Sequence, residues 1–169
     1  MKKIYILMCI IIFSALNAAA DEAFFKSMPV KDIYNGKNIL PNEYSKKEGM
    51  IFDSLGKAVD IQLNFNGRYS IVRHSCGMEC SYITLIDLSN GSENSSIFSD
   101  YSLSEAGGIM INNEKYLSIP VTKPDSYGII MKYYPVTGSD DICYEQKMKI
   151  ENGSLKILSD KVKAECPDF

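Results

Sequence analysis

The stretch from Tyr144 to Leu158 constrains this chain more than any other. Tyr144, Gln146, Met148 and Ile150 alternate with Glu145, Lys147, Lys149 and Glu151, the period-two pattern of a strand with one buried face. Asn152-Gly153 follows directly, and both residues tolerate the positive φ of a two-residue type I′ turn. Leu155–Leu158 then returns as the partner strand. A hairpin of this kind needs more sheet beside it to hide its apolar face. The sequence supplies it: Arg68–His74, Ser81–Leu88, Gly107–Asn112, Lys115–Val121 and Tyr127–Tyr134 are rich in β-branched and aromatic residues. Asn66-Gly67, Asn90-Gly91 and Asn113-Glu114 punctuate them as turns.

The first part of the chain reads differently. Pro29, Asn35-Gly36 and Pro41 leave room only for a short helix near Ala23–Ser27. Between Gly49 and Leu63, Ile51, Leu55, Ala58, Val59 and Ile61 recur near helical spacing, which predicts a helix over residues 49–62. Residues 89–106, rich in Ser and Asn, read as a long polar connection. At 169 residues the chain suffices for one core and is too short for a full propeller or a TIM barrel. The expected fold is mainly β (α+β): an antiparallel β meander of propeller-blade-like hairpins with one N-terminal helix packed on it.

Residues 1–20 are expected to leave before folding. Lys2 and Lys3 precede an apolar run from Ile4 to Leu16, and Ala18-Ala19-Ala20 offers small residues for cleavage before Asp21. That order is a signal peptide's, and the run is short of the ~20 residues a spanning helix needs. The domain is then residues 21–169, periplasmic or secreted, with no stable membrane insertion after cleavage. Losing Lys2 and Lys3 takes the formal charge from −3 to −5. No basic patch remains to follow a phosphate backbone, so nucleic acid is an unsuitable partner.

Export explains the cysteines. Cys9 lies inside the apolar run, leaving Cys76, Cys80, Cys143 and Cys166. Four cysteines in an oxidising compartment read as two disulfides with three connectivities; pairing near neighbours favours Cys76–Cys80 and Cys143–Cys166. In the chain-entropy model the loops they close contribute about 2 and about 3 kcal/mol.

With one histidine, mechanisms needing several imidazoles are excluded. No Gly-x-Ser-x-Gly elbow is present. His74, Cys76 and Cys80 could together hold a soft metal or carry thiol chemistry. The spacing is C-x-x-x-C, however, and the alternative is a disulfide-clipped corner in which Gly77 lets the chain turn. Asp140-Asp141 reads as a solvated acidic turn. Tyr116, Tyr127, Tyr133, Tyr134 and Tyr144 either form a contact surface, since Tyr is enriched at interfaces, or fill the sheet's core.

Phe65-Asn66-Gly67-Arg68-Tyr69, Val72, Cys76-Gly77 with Cys80, Ile86-Asp87-Leu88 and Asn90-Gly91 together resemble a pattern in small exported bacterial proteins of uncharacterised function. In those proteins a Phe-x-Gly-x-Tyr strand leads into a Cys-Gly-x-x-Cys corner. Asn112–Ile119 and Met131-Lys132-Tyr133-Tyr134 are similar to their later propeller-blade-like strands. The resemblance implies a fold and a disulfide corner but no activity.

The expectation is therefore a non-catalytic binding protein without cofactor, such as an immunity protein or an inhibitor of an envelope-acting enzyme. Its partner would be another envelope protein, a basic one given the acidic charge, met by acidic side chains from residues 89–106 or from Asp140-Asp141. The alternatives are a metal- or thiol-active protein using His74, Cys76 and Cys80, or a small hydrolase.

Overall fold

The computed structural model describes residues 19–105, 107–136 and 142–166. The apolar run of the expected signal peptide and the Asp140-Asp141 turn lie outside the described residues. Strands dominate and pair antiparallel throughout. A short helix, α1, covers residues 19–26. The strands are β1 (Ser45–Lys47), β2 (Met50–Phe52), β3 (Ala58–Val59), β4 (Tyr69–Gly77), β5 (Cys80–Asp87) and β6 (Ser92–Asn94). They are followed by β7 (Ile109–Ile111), β8 (Glu114–Thr122), β9 (Gly128–Pro135), β10 (Cys143–Glu151), β11 (Ser154–Ile157) and β12 (Val162–Ala164).

They form three sheets: β1-β2-β3, β4-β5-β6, and a meander in the order β11-β10-β9-β8-β7, with β12 also paired to β10. The β10–β11 hairpin turns at Asn152 and Gly153, whose φ values of 53° and 76° are those of the expected turn. The β7–β8 turn falls on Asn112 and Asn113, both at positive φ, one residue earlier than the Asn113-Glu114 reading.

The β4-β5-β6 sheet is the middle layer. Ile71, Ile83 and Leu85 on one face meet Ile129, Met131, Tyr133 and Met148 of the meander in the main core. Val72 and Ile86 on the other face join a second core with Ile51, Val59 and Tyr44. Because β5 is covered on both faces, Ser81–Leu88 reads as an almost unbroken apolar run rather than an alternation. Outside the meander, α1 carries Phe25 into a buried position, and its Phe24 lies against Gly128 and Lys147. Asp21 and Glu22 of α1 pair with Lys132 and Lys123.

Residues 49–62 are not helical. Ile51 and Phe52 pair with Val59 and Ala58 across a tight hairpin. At its turn the Gly56 N–H bonds the Asp53 carbonyl at 2.9 Å, and Gly56 sits at φ 72°. Apolar residues that mimic helical spacing are brought together by chain reversal instead. Among the described residues before β1 the helix is α1, which overlaps the short helix expected near Ala23–Ser27. Residues 89–106 are likewise not a free connection. They hold β6 and a 3-10 helix at Ser96–Tyr101 whose Phe98 is fully buried in the main core. Leu103 then bridges back to Ser81.

Candidate functional site: a buried histidine and an exposed corner

His74 and the two cysteines that follow it lie on one strand but reach different environments. His74 points from β4 into the second core, and its side chain has no exposed surface. Its Nδ1–H donates to Asp53 Oδ2 at 2.8 Å, and its Nε2 lies 3.0 Å from Thr84 Oγ1. Tyr82 stacks on the ring at 4.6 Å between centroids, nearly parallel. Tyr44 approaches edge-on, with its hydroxyl 3.4 Å from Nε2, and donates to Glu93 Oε1 at 2.6 Å. The imidazole therefore joins β2, β5, β6 and the entry to β1.

Asp53 is the anchor of the cluster. Its Oδ1 accepts from the backbone N–H groups of Leu55 and Lys57 at 3.0 and 2.8 Å, closing the β2–β3 turn. Burial alone would raise its pKa; the hydrogen bonds from His74, Lys57 and Leu55 outweigh that and hold it below the ordinary carboxylate range. Tyr44 is pushed up by burial and by the Glu93 carboxylate, so it stays a neutral donor. An Asp-His-Thr row has the order of a nucleophilic triad, yet Asp53, His74 and Thr84 are at most 3% exposed. A substrate would have no access to Thr84, and the row works as a latch between sheets.

The cysteines stand at the other extreme. Cys76 and Cys80 form a disulfide with 5.1 Å between Cα atoms, closing the two-residue loop Met78-Glu79. Gly77 at φ 134° and Glu79 at φ 52° carry the reversal. Neither sulfur is a thiolate, so the pair offers no soft ligand and His74 has both nitrogens engaged; among the described residues no group of three or more His, Cys, Asp or Glu could hold a metal ion. Met78 at the apex is 92% exposed. The second disulfide joins Cys143 at the start of β10 to Cys166 and ties the tail beyond β12 to the meander. Two disulfides are what an oxidising, extracytoplasmic environment maintains. No described helix is long and apolar enough to cross a membrane.

The tyrosines divide by strand parity. Tyr116, Tyr133 and Tyr144 point into the core and are 3%, 0% and 8% exposed, so they are packing residues rather than a contact surface. Tyr133 donates to Gln146 Oε1, and Tyr116 and Tyr144 meet edge to face. Tyr134, opposite Leu117, is half-buried, and so is Tyr127 ahead of β9. Sequence reasoning missed Asp53, Thr84, Tyr44 and Glu93, which come from distant segments; the one local signal was Asp53 three residues before Gly56, the ends of a type I turn.

No protein-family model, curated protein or solved structure matches the chain.

Proposed function

We propose that the protein is a non-catalytic binding protein of the periplasm or the extracellular space. It engages another envelope protein through the β4–β5 corner and blocks it, as an immunity protein or a hydrolase inhibitor does. Met78 carries this reading. A large apolar side chain held out in water at the apex of a disulfide-closed hairpin is already ordered for insertion into a partner's pocket, so binding loses little conformational freedom. We prefer the corner to residues 89–106, whose Glu93 accepts a hydrogen bond from the Tyr44 hydroxyl.

Two further observations support the reading. The Lys2-Lys3, apolar and Ala-rich order favours export. The acidic charge of the chain favours a basic partner and a fast, salt-sensitive encounter. The sole histidine, committed to a buried latch, leaves no general base of that type for a hydrolase.

The immobilised protein should retain an envelope protein from periplasmic extract at low ionic strength and release it as salt rises. Met78→Asp should abolish retention while stability changes by less than about 0.5 kcal/mol, as for an exposed position. Retention that survives Met78→Asp, or copurification of a metal or small molecule with no protein, would contradict the reading. The paired change Cys76→Ser with Cys80→Ser should weaken retention and cost about 2 kcal/mol of stability, read from denaturant midpoints.

A further inference from the structure

At the far end of β4 and β5 from the disulfide corner, two clefts meet around Asn66 and Tyr69. One, about 290 Å³, opens between β6 and the β10–β11 turn, over a floor of Leu85, Ile97, Ile150 and the half-buried Tyr69, with Phe65 fully buried beneath. The other, about 390 Å³, runs from Tyr69 to Tyr127 past Lys31, Asp32 and Arg68. Asn66 and Tyr69 line both, so the clefts adjoin along one shallow groove, each near the lower end of the roughly 300–1,000 Å³ of small-molecule sites.

The groove's polar groups are of two kinds. The one cation beside the shared wall of the two clefts, Arg68, is already matched. Arg68 pairs with Asp87 at 2.8 Å and donates to the Tyr69 hydroxyl at 2.7 Å, while Lys31 and Asp32 stand exposed at the rim of the second cleft, away from Ser92 and Asn94. The neutral groups are not matched. The Asn66 side-chain amide, the Ser92 hydroxyl and the Asn94 side-chain NH₂ have no hydrogen-bond partner among the described residues; Asn94 uses only its oxygen, to hold the Ser96 backbone and hydroxyl. A phosphate or a carboxylate would need a cation beside Asn66, Ser92 and Asn94, and the cleft they line holds none, only the Asp87 carboxylate. A molecule with many neutral hydroxyls and apolar ring faces needs planar amides, hydroxyls and aromatic rings, which is what the groove presents.

We propose that this groove binds a short neutral oligosaccharide, with Asn66, Ser92 and Asn94 as its hydrogen-bonding residues and the floor residues beneath its rings. The site is independent of the Met78 corner, since Tyr69 and Asp87 pair at one end of the hairpin and Gly77 and Cys80 at the other.

The test is titration of the whole exported chain with N-acetylglucosamine trisaccharide and, separately, maltotriose. Backbone amide NMR shifts and tyrosine fluorescence report binding, the latter undisturbed because the chain has no Trp. At least one sugar should shift Asn66, Tyr69 and Asn94 saturably below 10 mM, and the better sugar identifies the glycan class. Ser92→Phe, which fills the groove from an exposed strand position, should abolish the shifts. Asn66→Gly, at φ 46° where glycine is unstrained, should weaken binding at least tenfold. Met78→Asp should leave it unchanged, which separates this site from the corner. Absence of saturable shifts with both sugars, shifts away from the groove, or binding undiminished in both groove variants would overturn the proposal.

Discussion

Asp53→Ala should destabilise the protein by about 3–5 kcal/mol, since it leaves one buried donor unsatisfied at about 1–3 kcal/mol and removes two further hydrogen bonds to a carboxylate. It strands the Nδ1–H of a fully buried imidazole and frees the Leu55 and Lys57 N–H groups that define the β2–β3 turn. Asp53→Asn keeps an oxygen for the turn and should cost less, about 1–3 kcal/mol. The pH dependence has a definite sign. A carboxylate whose folded pKa lies below its unfolded value contributes stability that is fully present above about pH 3.9 and fades as pH falls through the folded value. Wild type should therefore lose stability steeply below about pH 4, and Asp53→Asn should show a shallower loss. Urea midpoints between pH 3 and 7 for the three proteins measure both effects.

Gly67→Ala should be comparably damaging, at about 2–4 kcal/mol, combining a disfavoured backbone with a clash. Gly67 sits at φ 67°, and a Cβ there would come within 2.1 Å of the Asp32 carbonyl oxygen. The close approach exists because the Asn66-Gly67 turn is clasped from both sides. Tyr34 N–H donates to the Gly67 carbonyl at 2.6 Å, while the Gly67 and Asn66 N–H groups donate to Pro124 and Ser126. That turn joins the N-terminal segment, the start of β4 and the β8–β9 connection, so the effect should appear as a lower midpoint of the global transition. Gly91→Ala, where the Cβ would stand 2.6 Å from the Leu40 carbonyl oxygen, offers a second site of the same kind.

How legible each part was follows from how local its cause is. The β10–β11 hairpin depends on an alternation and a two-residue turn, both contained in consecutive residues, and it forms where expected. The disulfides were legible for the same reason: near neighbours in the chain pair. Residues 49–62 misled because Ile51, Leu55 and Val59 are spaced like one face of a helix, while the real determinant is the Asp53-to-Gly56 turn. Leu55, expected on a buried face, is 52% exposed at that turn. Phe98 was hidden in a serine-rich stretch, since composition reports the average and a single aromatic anchored by Ile83 and Leu85 sets the path.

The His74 cluster was the least legible part. Its members Tyr44, Asp53, Thr84 and Glu93 meet only because β1–β3 fold over one face of the middle sheet. A histidine two residues before a cysteine pair invites a reading as metal or thiol chemistry. Position along the hairpin decides otherwise: the ring lies where β1–β3 cover the middle sheet, and the disulfide lies beyond that cover at the tip. The tyrosines follow strand alternation, with adjacent Tyr133 and Tyr134 on opposite faces of β9.

We propose that the protein acts by contact at the β4–β5 corner. A photo-crosslinking amino acid placed at Met78 tests it most directly, with Met110, also exposed at 57% but on β7, as the control position. Irradiation of the producing cells should yield one discrete adduct with an envelope protein from position 78 and none from position 110. The adduct should fade when Cys76 and Cys80 are both changed to Ser. Equal adducts from both positions, or none from position 78, would contradict the account.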